Sequence, residues 1–110
     1  MAETIGPALF QSAPAATTPT DAYTCPPATN IAMSFINVCN RGAVAATYRL
    51  SISVGGGATA TKDYLAYDET LAANTSLERG RGITLGPGDI VRVYASTADT
   101  SFNGFGVKKT

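Results

Sequence analysis

The sequence contains no histidine. Neither a Ser-His-Asp nor a Cys-His arrangement can form, and no imidazole is available to bind a metal or to carry a proton near neutral pH. The carboxylates are scattered along the chain and match no calcium-binding loop. We therefore predict that the protein is not an enzyme and that it has no catalytic residue, metal site or cofactor.

Charged residues are also scarce: they make up 15% of the chain, against roughly 25% in typical soluble domains. Lys+Arg and Asp+Glu number 8 each, so no net field attracts nucleic acid or an anionic membrane. No apolar run approaches the roughly 20 residues that span a bilayer, and the N-terminus has no basic segment followed by an apolar one. We expect no nucleic-acid partner, no membrane partner, and a protein kept in the cytosol or in something assembled there.

What the sequence does contain is a β-pattern, clearest between Ile31 and Gly57. Apolar residues from Tyr48 to Val54 alternate with polar ones, which is typical of a strand with one dry and one wet face. A chain of 110 residues suits one domain. We predict an all-β fold: a single small β-sandwich, jelly-roll or Ig-like, of about eight short antiparallel strands. The strands are expected near residues 22–25, 30–39, 47–54, 63–68, 76–78, 83–85, 89–95 and 101–107.

Two of these strands carry a second signal. The strand at 30–39 is apolar at successive positions, so we expect the second sheet on one face and an arm or a partner on the other. In the last strand, Gly104 and Gly106 leave room for a large neighbour or for the close approach of another backbone.

Residues 1–20 form an extended N-terminal arm in this prediction, and residues 21–110 form the sandwich. Pro7, Pro14 and Pro19 favour extended geometry without a regular ladder. Leu9 and Phe10 are the only bulky apolar pair in the arm. They pack either on the arm's own domain or on a neighbouring subunit, and the second alternative makes them candidate partner-binding residues.

Two further features invite a site interpretation. Arg79 and Arg81 stand in a glycine-containing loop and are candidate partner-binding residues, able to grip a carboxylate or phosphate. The alternatives are a solvated turn or a salt bridge to a neighbouring subunit. The tyrosines could line a sugar-binding face, or they could fill the rim of the core. They are Tyr23, Tyr48, Tyr64, Tyr67 and Tyr94.

Cys25 and Cys39 are the two residues that could form a disulfide. If residues 22–25 and 31–39 were a plain hairpin turning at Pro26-Pro27, Cys25 would lie opposite a residue near Asn30 instead of Cys39. A cytosolic origin also disfavours oxidation. Two buried free thiols are therefore favoured over a bridge.

Four segments resemble a family of small bacteriophage virion structural proteins. They are Tyr23-Thr24-Cys25-Pro26, the VCNRG turn at 38–42, the YxxYD strand at 64–68, and VYAST at 93–97 followed by Ser101-Phe102 and Phe105-Gly106. The chain departs from the family pattern at Cys25 and Pro27, where Val and Ala are usual. The resemblance covers about residues 21–107.

The resemblance implies a virion component present in many copies and assembled in the host bacterial cytoplasm. The expected function is that of a non-enzymatic accessory protein that decorates or cements the capsid exterior. Its partner would be the phage major capsid protein, and it would form a homo-oligomer, with a trimer as one arrangement. The alternatives are a protein bound to neck, tail or fibre proteins, and a carbohydrate- or receptor-binding β-sandwich module.

Overall fold

The computed structural model describes residues 3–5 and 8–110, with ten strands in that part of the chain. The strands are β1 (Glu3–Ile5), β2 (Phe10–Ser12), β3 (Thr20–Thr24), β4 (Asn30–Asn40), β5 (Ala46–Ser53), β6 (Tyr64–Leu71), β7 (Thr75–Arg79), β8 (Ile83–Leu85), β9 (Ile90–Ala95) and β10 (Thr100–Lys109). Short 3-10 turns lie at Val54–Gly56 and Thr61–Asp63.

The strands form two antiparallel sheets that pack as a β-sandwich. In the six-stranded sheet β10 and β4 are central; β1 and β2 pair with β10, while β7 and β8 pair with β4. The four-stranded sheet has the order β3-β9-β5-β6. The predicted all-β sandwich is confirmed, and the eight predicted strands correspond to β3–β10. Although β4 and β5 are consecutive, they belong to different sheets, so the chain crosses the sandwich at residues 41–45.

The N-terminal segment differs from the prediction. It was expected to lack a regular ladder, but β1 and β2 both hydrogen-bond along β10. Next to β2, the Leu9 amide donates to the Gly104 carbonyl at 2.7 Å. Residues 1, 2, 6 and Pro7 lie outside the described residues. The described part of the predicted arm completes the edge of its own sheet.

Phe10 is the reason this segment belongs to the domain. Its side chain is only 6% exposed and is part of the core. The ring lies on Gly104, where an added methyl group would overlap it, and it stacks on Tyr23 at 6.1 Å between ring centres. Since Tyr23 lies in the other sheet, Phe10 joins the two layers. It is thus not an anchor free to bind a neighbouring subunit, and the prediction of Phe10 as a partner-binding residue is wrong.

A β-bulge corrects the interpretation of β4 as a strand covered on both faces. Phe35 pairs with Phe105 and Met33 with Gly106, which leaves Ser34 as the extra residue. The buried positions change phase there, from Ile31 and Met33 to Ile36, Val38 and Asn40. An extra residue shifts every later side chain to the other face, so the apolar residues of both halves point into the same core. At the bulge the Met33 backbone passes so close to Gly106 that a side chain there would overlap it.

A polar network joins the sheets at the edge beside β6 and β7. The Tyr48 hydroxyl, on a side chain only 1% exposed, donates to Glu69 Oε2 at 2.7 Å. Arg79 donates to both oxygens of the same carboxylate, at 2.9 and 2.6 Å. Burial, and then the hydrogen bond to Glu69, raises the pKa of Tyr48 from 10.0 to about 12.

This pKa shift predicts sensitivity to alkali. In the unfolded chain Tyr48 releases its proton near pH 10, while the folded protein holds it until about pH 12. The unfolded state therefore binds fewer protons in this window, and the free energy of unfolding falls as the pH rises through it. Urea unfolding at about pH 9 and pH 11 should show a smaller fall for Tyr48→Phe than for the wild type. Equal falls for the two proteins would contradict the prediction.

Candidate functional site

The two arginines predicted to bind a partner are engaged within the chain. Arg79 is the last residue of β7, not a loop residue, and its guanidinium is held by Glu69. Arg81 lies in the following turn, and its largely exposed side chain contacts Glu78 at 3.4 Å. The salt bridges are therefore internal, the prediction that Arg79 lies in a loop is wrong, and binding of a partner by Arg79 or Arg81 stays a prediction.

The cysteines are free thiols near opposite ends of β4. Cys25 is buried near the start of β4, where its Sγ donates to the Thr29 carbonyl at 3.3 Å. Burial raises the pKa of this thiol. Cys39 lies near the far end of β4 and is only half-buried. The disulfide alternative is wrong, because nearly the whole length of β4 separates the two side chains.

Three of the five tyrosines converge on the outer face of the four-stranded sheet. Tyr64 and Tyr67 belong to β6 and Tyr94 to β9, while Arg49 lies between these strands on β5, directly opposite Tyr94. We call Arg49, Tyr64, Tyr67 and Tyr94 the tyrosine–arginine face. The other two tyrosines belong to the core or pack against it.

Arg49 organises this face. Its central guanidinium carbon lies 4.4 Å from the ring centre of Tyr67 and 4.3 Å from that of Tyr94, so it makes cation-π contacts with both. The same guanidinium donates to both oxygens of Asp68, at 2.6 and 3.2 Å. This hydrogen bonding raises the pKa of Arg49 and lowers that of Asp68. Tyr64 meets Tyr67 edge to face at 4.8 Å, which fixes both rings.

Arg92 holds a loop against the same face. Its Nη1 donates to the Gly57 carbonyl at 2.6 Å, and also to the hydroxyls of Ser53 and Thr59 at 2.8 and 3.2 Å. Its Nε donates to Asp21 at 2.8 Å. The loop after β5 is thereby tied to β9 and β3, beside Tyr64.

A groove of about 390 Å³ runs between this loop and the two tyrosines of β6. It is lined by Thr59, Ala60, Thr61, Tyr64 and Tyr67. A smaller cavity of about 30 Å³ adjoins it and shares Thr59 and Tyr64; Arg49 and Arg92 both line it. The groove and the cavity present aromatic rings, hydroxyls and ion-paired groups, and this arrangement is suited to binding a ligand.

No protein-family model, curated protein or solved structure matches the chain. Within residues 3–5 and 8–110 no three histidine, cysteine or acidic side chains are grouped so that they could hold a metal ion. The same part of the chain has no helix with the length and hydropathy needed to cross a membrane.

Sequence reasoning offered the tyrosines but missed Arg49, Asp68 and Arg92. The signal was present in the alternation of β5, which assigns Arg49 to the wet face. The alternation does not show which strands lie beside β5. The sheet order decides that β9 and β6 flank it. Asp68 is also unusual because its φ of 51° belongs to the left-handed region.

Proposed function

We propose that the protein is a non-enzymatic accessory structural protein of a bacteriophage particle. The observation that carries the proposal is the tyrosine–arginine face. Two segments of the phage-like pattern supply its three tyrosines: YxxYD provides Tyr64 and Tyr67, and VYAST provides Tyr94.

Another segment of the pattern contacts the loop that follows VYAST. In the VCNRG turn the Arg41 amide donates to the Asp99 carbonyl at 2.9 Å, and its guanidinium donates to the Ala98 carbonyl at 3.3 Å. These acceptors directly follow VYAST. The resemblance therefore rests on segments that contact one another in the fold as well as on the exposed tyrosines.

Within the particle, the proposed role is decoration of the capsid exterior, with the major capsid protein as partner. The opposite side of the sandwich supports attachment there. Phe35 and Phe105 form a half-buried ring pair at 5.1 Å on the outer face of the six-stranded sheet. Neighbouring outward side chains of β4 and β10 are small and uncharged, among them Asn37 and Asn103. Aromatic residues with little charge suit the centre of a protein interface.

Copies of the chain would form a homo-oligomer on the capsid, with a trimer as one arrangement. Attachment through the six-stranded sheet would leave the tyrosine–arginine face directed away from the particle. That exposure favours a second candidate function, a carbohydrate- or receptor-binding module carried by the virion. Attachment to neck, tail or fibre proteins is the alternative location.

Particle composition tests the proposal. Heads and tails from the phage that encodes the chain would be separated and analysed by quantitative mass spectrometry, with antibody-gold labelling of intact particles. We expect the protein on heads in many copies. Its presence only on tails or necks would show that it is attached at the alternative location and does not decorate the capsid. Its absence from heads, tails and necks would contradict a virion role.

A further inference from the structure

We propose that the groove beside Tyr64 and Tyr67 binds a neutral saccharide. The inference deepens the second candidate function, on which it rests, by naming the class of ligand. This groove lies on the outer face of the four-stranded sheet.

Tyr64 and Tyr67 give the groove an aromatic platform. Tyr67 is 56% exposed although Arg49 lies over its ring and Tyr64 packs against it. An exposed ring that is already fixed loses little conformational freedom on binding. Sugar rings present C–H surfaces that pack on such rings, while a tyrosine hydroxyl can hydrogen-bond at their edge.

The size and polarity of the groove also suit a saccharide. Its volume of about 390 Å³ lies near the lower end of the range for small-molecule sites, roughly 300–1,000 Å³, which suits one or two sugar units. Thr59 and Thr61 line the groove together with the two tyrosines. Threonine hydroxyls both donate and accept hydrogen bonds, and the Thr59 hydroxyl, which accepts from Arg92, keeps its proton for donation. The groove therefore combines aromatic rings with hydroxyl-bearing side chains.

The balance of charges on this face favours a neutral ligand. Arg49 is paired with Asp68, and Arg92 with Asp21. Lys62 and Asp63, which stand in the chain between Thr61 and Tyr64 of the groove, add one charge of each sign. Three positive and three negative side chains therefore cancel, so the face has no net charge to attract a phosphate or a carboxylate. An anionic ligand bound by Arg49 or Arg92 would have to displace a carboxylate from a short, charge-assisted hydrogen bond.

The test is an amide NMR titration of the purified protein with lactose, maltotriose, cellotriose and chitotriose. Sialyllactose and inorganic phosphate would serve as anionic probes. We expect at least one neutral saccharide to shift the signals of residues 59–67, and neither anionic probe to bind more tightly. Tyr67→Ala should weaken the affinity by about tenfold, since it removes the stacking surface.

Two variants control this result. Tyr67→Phe keeps the ring and should bind within about threefold of the wild type if stacking dominates. Val44→Ala alters a side chain of similar exposure, 64%, in the turn before β5, and should bind like the wild type. Unchanged signals elsewhere in the Tyr67→Ala spectrum would show that this variant is folded.

The proposal is overturned if no neutral saccharide shifts these signals, or if only an anionic probe does. It is also overturned if Tyr67→Ala abolishes binding to stripped heads, because the face would then be the particle contact. The titration uses the isolated protein, so its outcome is independent of whether the protein is found on particles. Failure of the saccharide site and failure of the virion role can therefore be told apart.

Discussion

Phe10→Ala is expected to lower the free energy of unfolding by about 3–5 kcal/mol. The ring is 6% exposed and touches Gly104 in the six-stranded sheet and Tyr23 in the four-stranded one. Its removal leaves a cavity between the layers and releases β2 from its anchor. Urea unfolding would measure the loss, with Gln11→Ala as the matched control, because Gln11 is an exposed residue of the same strand.

A double-mutant cycle with Gly104→Ala tests whether Phe10 and Gly104 are a fitted pair. Gly104→Ala alone should destabilise by about 1–3 kcal/mol, because the added methyl group meets the ring. Combined with Phe10→Ala it should cost much less, since the obstacle is gone and the methyl group fills part of the cavity. Additive losses would mean that the N-terminal segment does not occupy this position in solution.

Asn40→Ala should cause the second large loss, about 3–4 kcal/mol. Asn40 is fully buried. Its Nδ2 donates to the carbonyls of Val44, Leu71 and Ala72 at 2.9, 3.1 and 3.3 Å, and its Oδ1 accepts from the Gly42 amide at 2.9 Å. One side chain thus hydrogen-bonds to backbone groups of both the β4–β5 crossing and the β6–β7 turn. Alanine would remove the partner of the buried Leu71 carbonyl and Gly42 amide and of the two part-buried carbonyls.

Asn37→Ala is the control for Asn40→Ala, because Asn37 lies on the same strand but is half-buried on the outer face. We expect it to change the free energy of unfolding by less than about 1 kcal/mol. Similar losses for the two variants, measured by urea unfolding, would show that the hydrogen bonds of Asn40 do not determine the stability of this end of the sandwich.

The strands β3–β10 could be predicted because alternation and turn residues are local signals. The pairing of β1 and β2 could not, because proline and small residues hide it. The fit of Phe10 to Gly104 helps to fix that segment, and this fit depends on the register of β2 and β10. The bulge at Ser34 was equally hidden: without it, β4 has apolar residues on both faces, and nothing in the sequence marks the change of phase.

The candidate site could be predicted only in part, again because local sequence signals do not reveal which strands are neighbours. Exposed tyrosines on strands were a reasonable hypothesis, but which of them share a surface depends on sheet order. That order places Arg49 between Tyr67 and Tyr94, while the alternation along β5 already directs Tyr48 into the core. Arg79 was predicted in a loop, whereas it ends β7 and pairs with Glu69, a residue that no local signal could identify because it lies on a strand of the other sheet.

Binding of the purified protein to separated phage heads and tails, each stripped of it, tests the central claim most directly. We expect saturable binding to heads, accompanied by increased resistance of the heads to heat. Tyr67→Ala should bind heads as well as the wild type, since its face is directed outward. Failure of the wild-type protein to bind either heads or tails would contradict a role as a virion accessory protein.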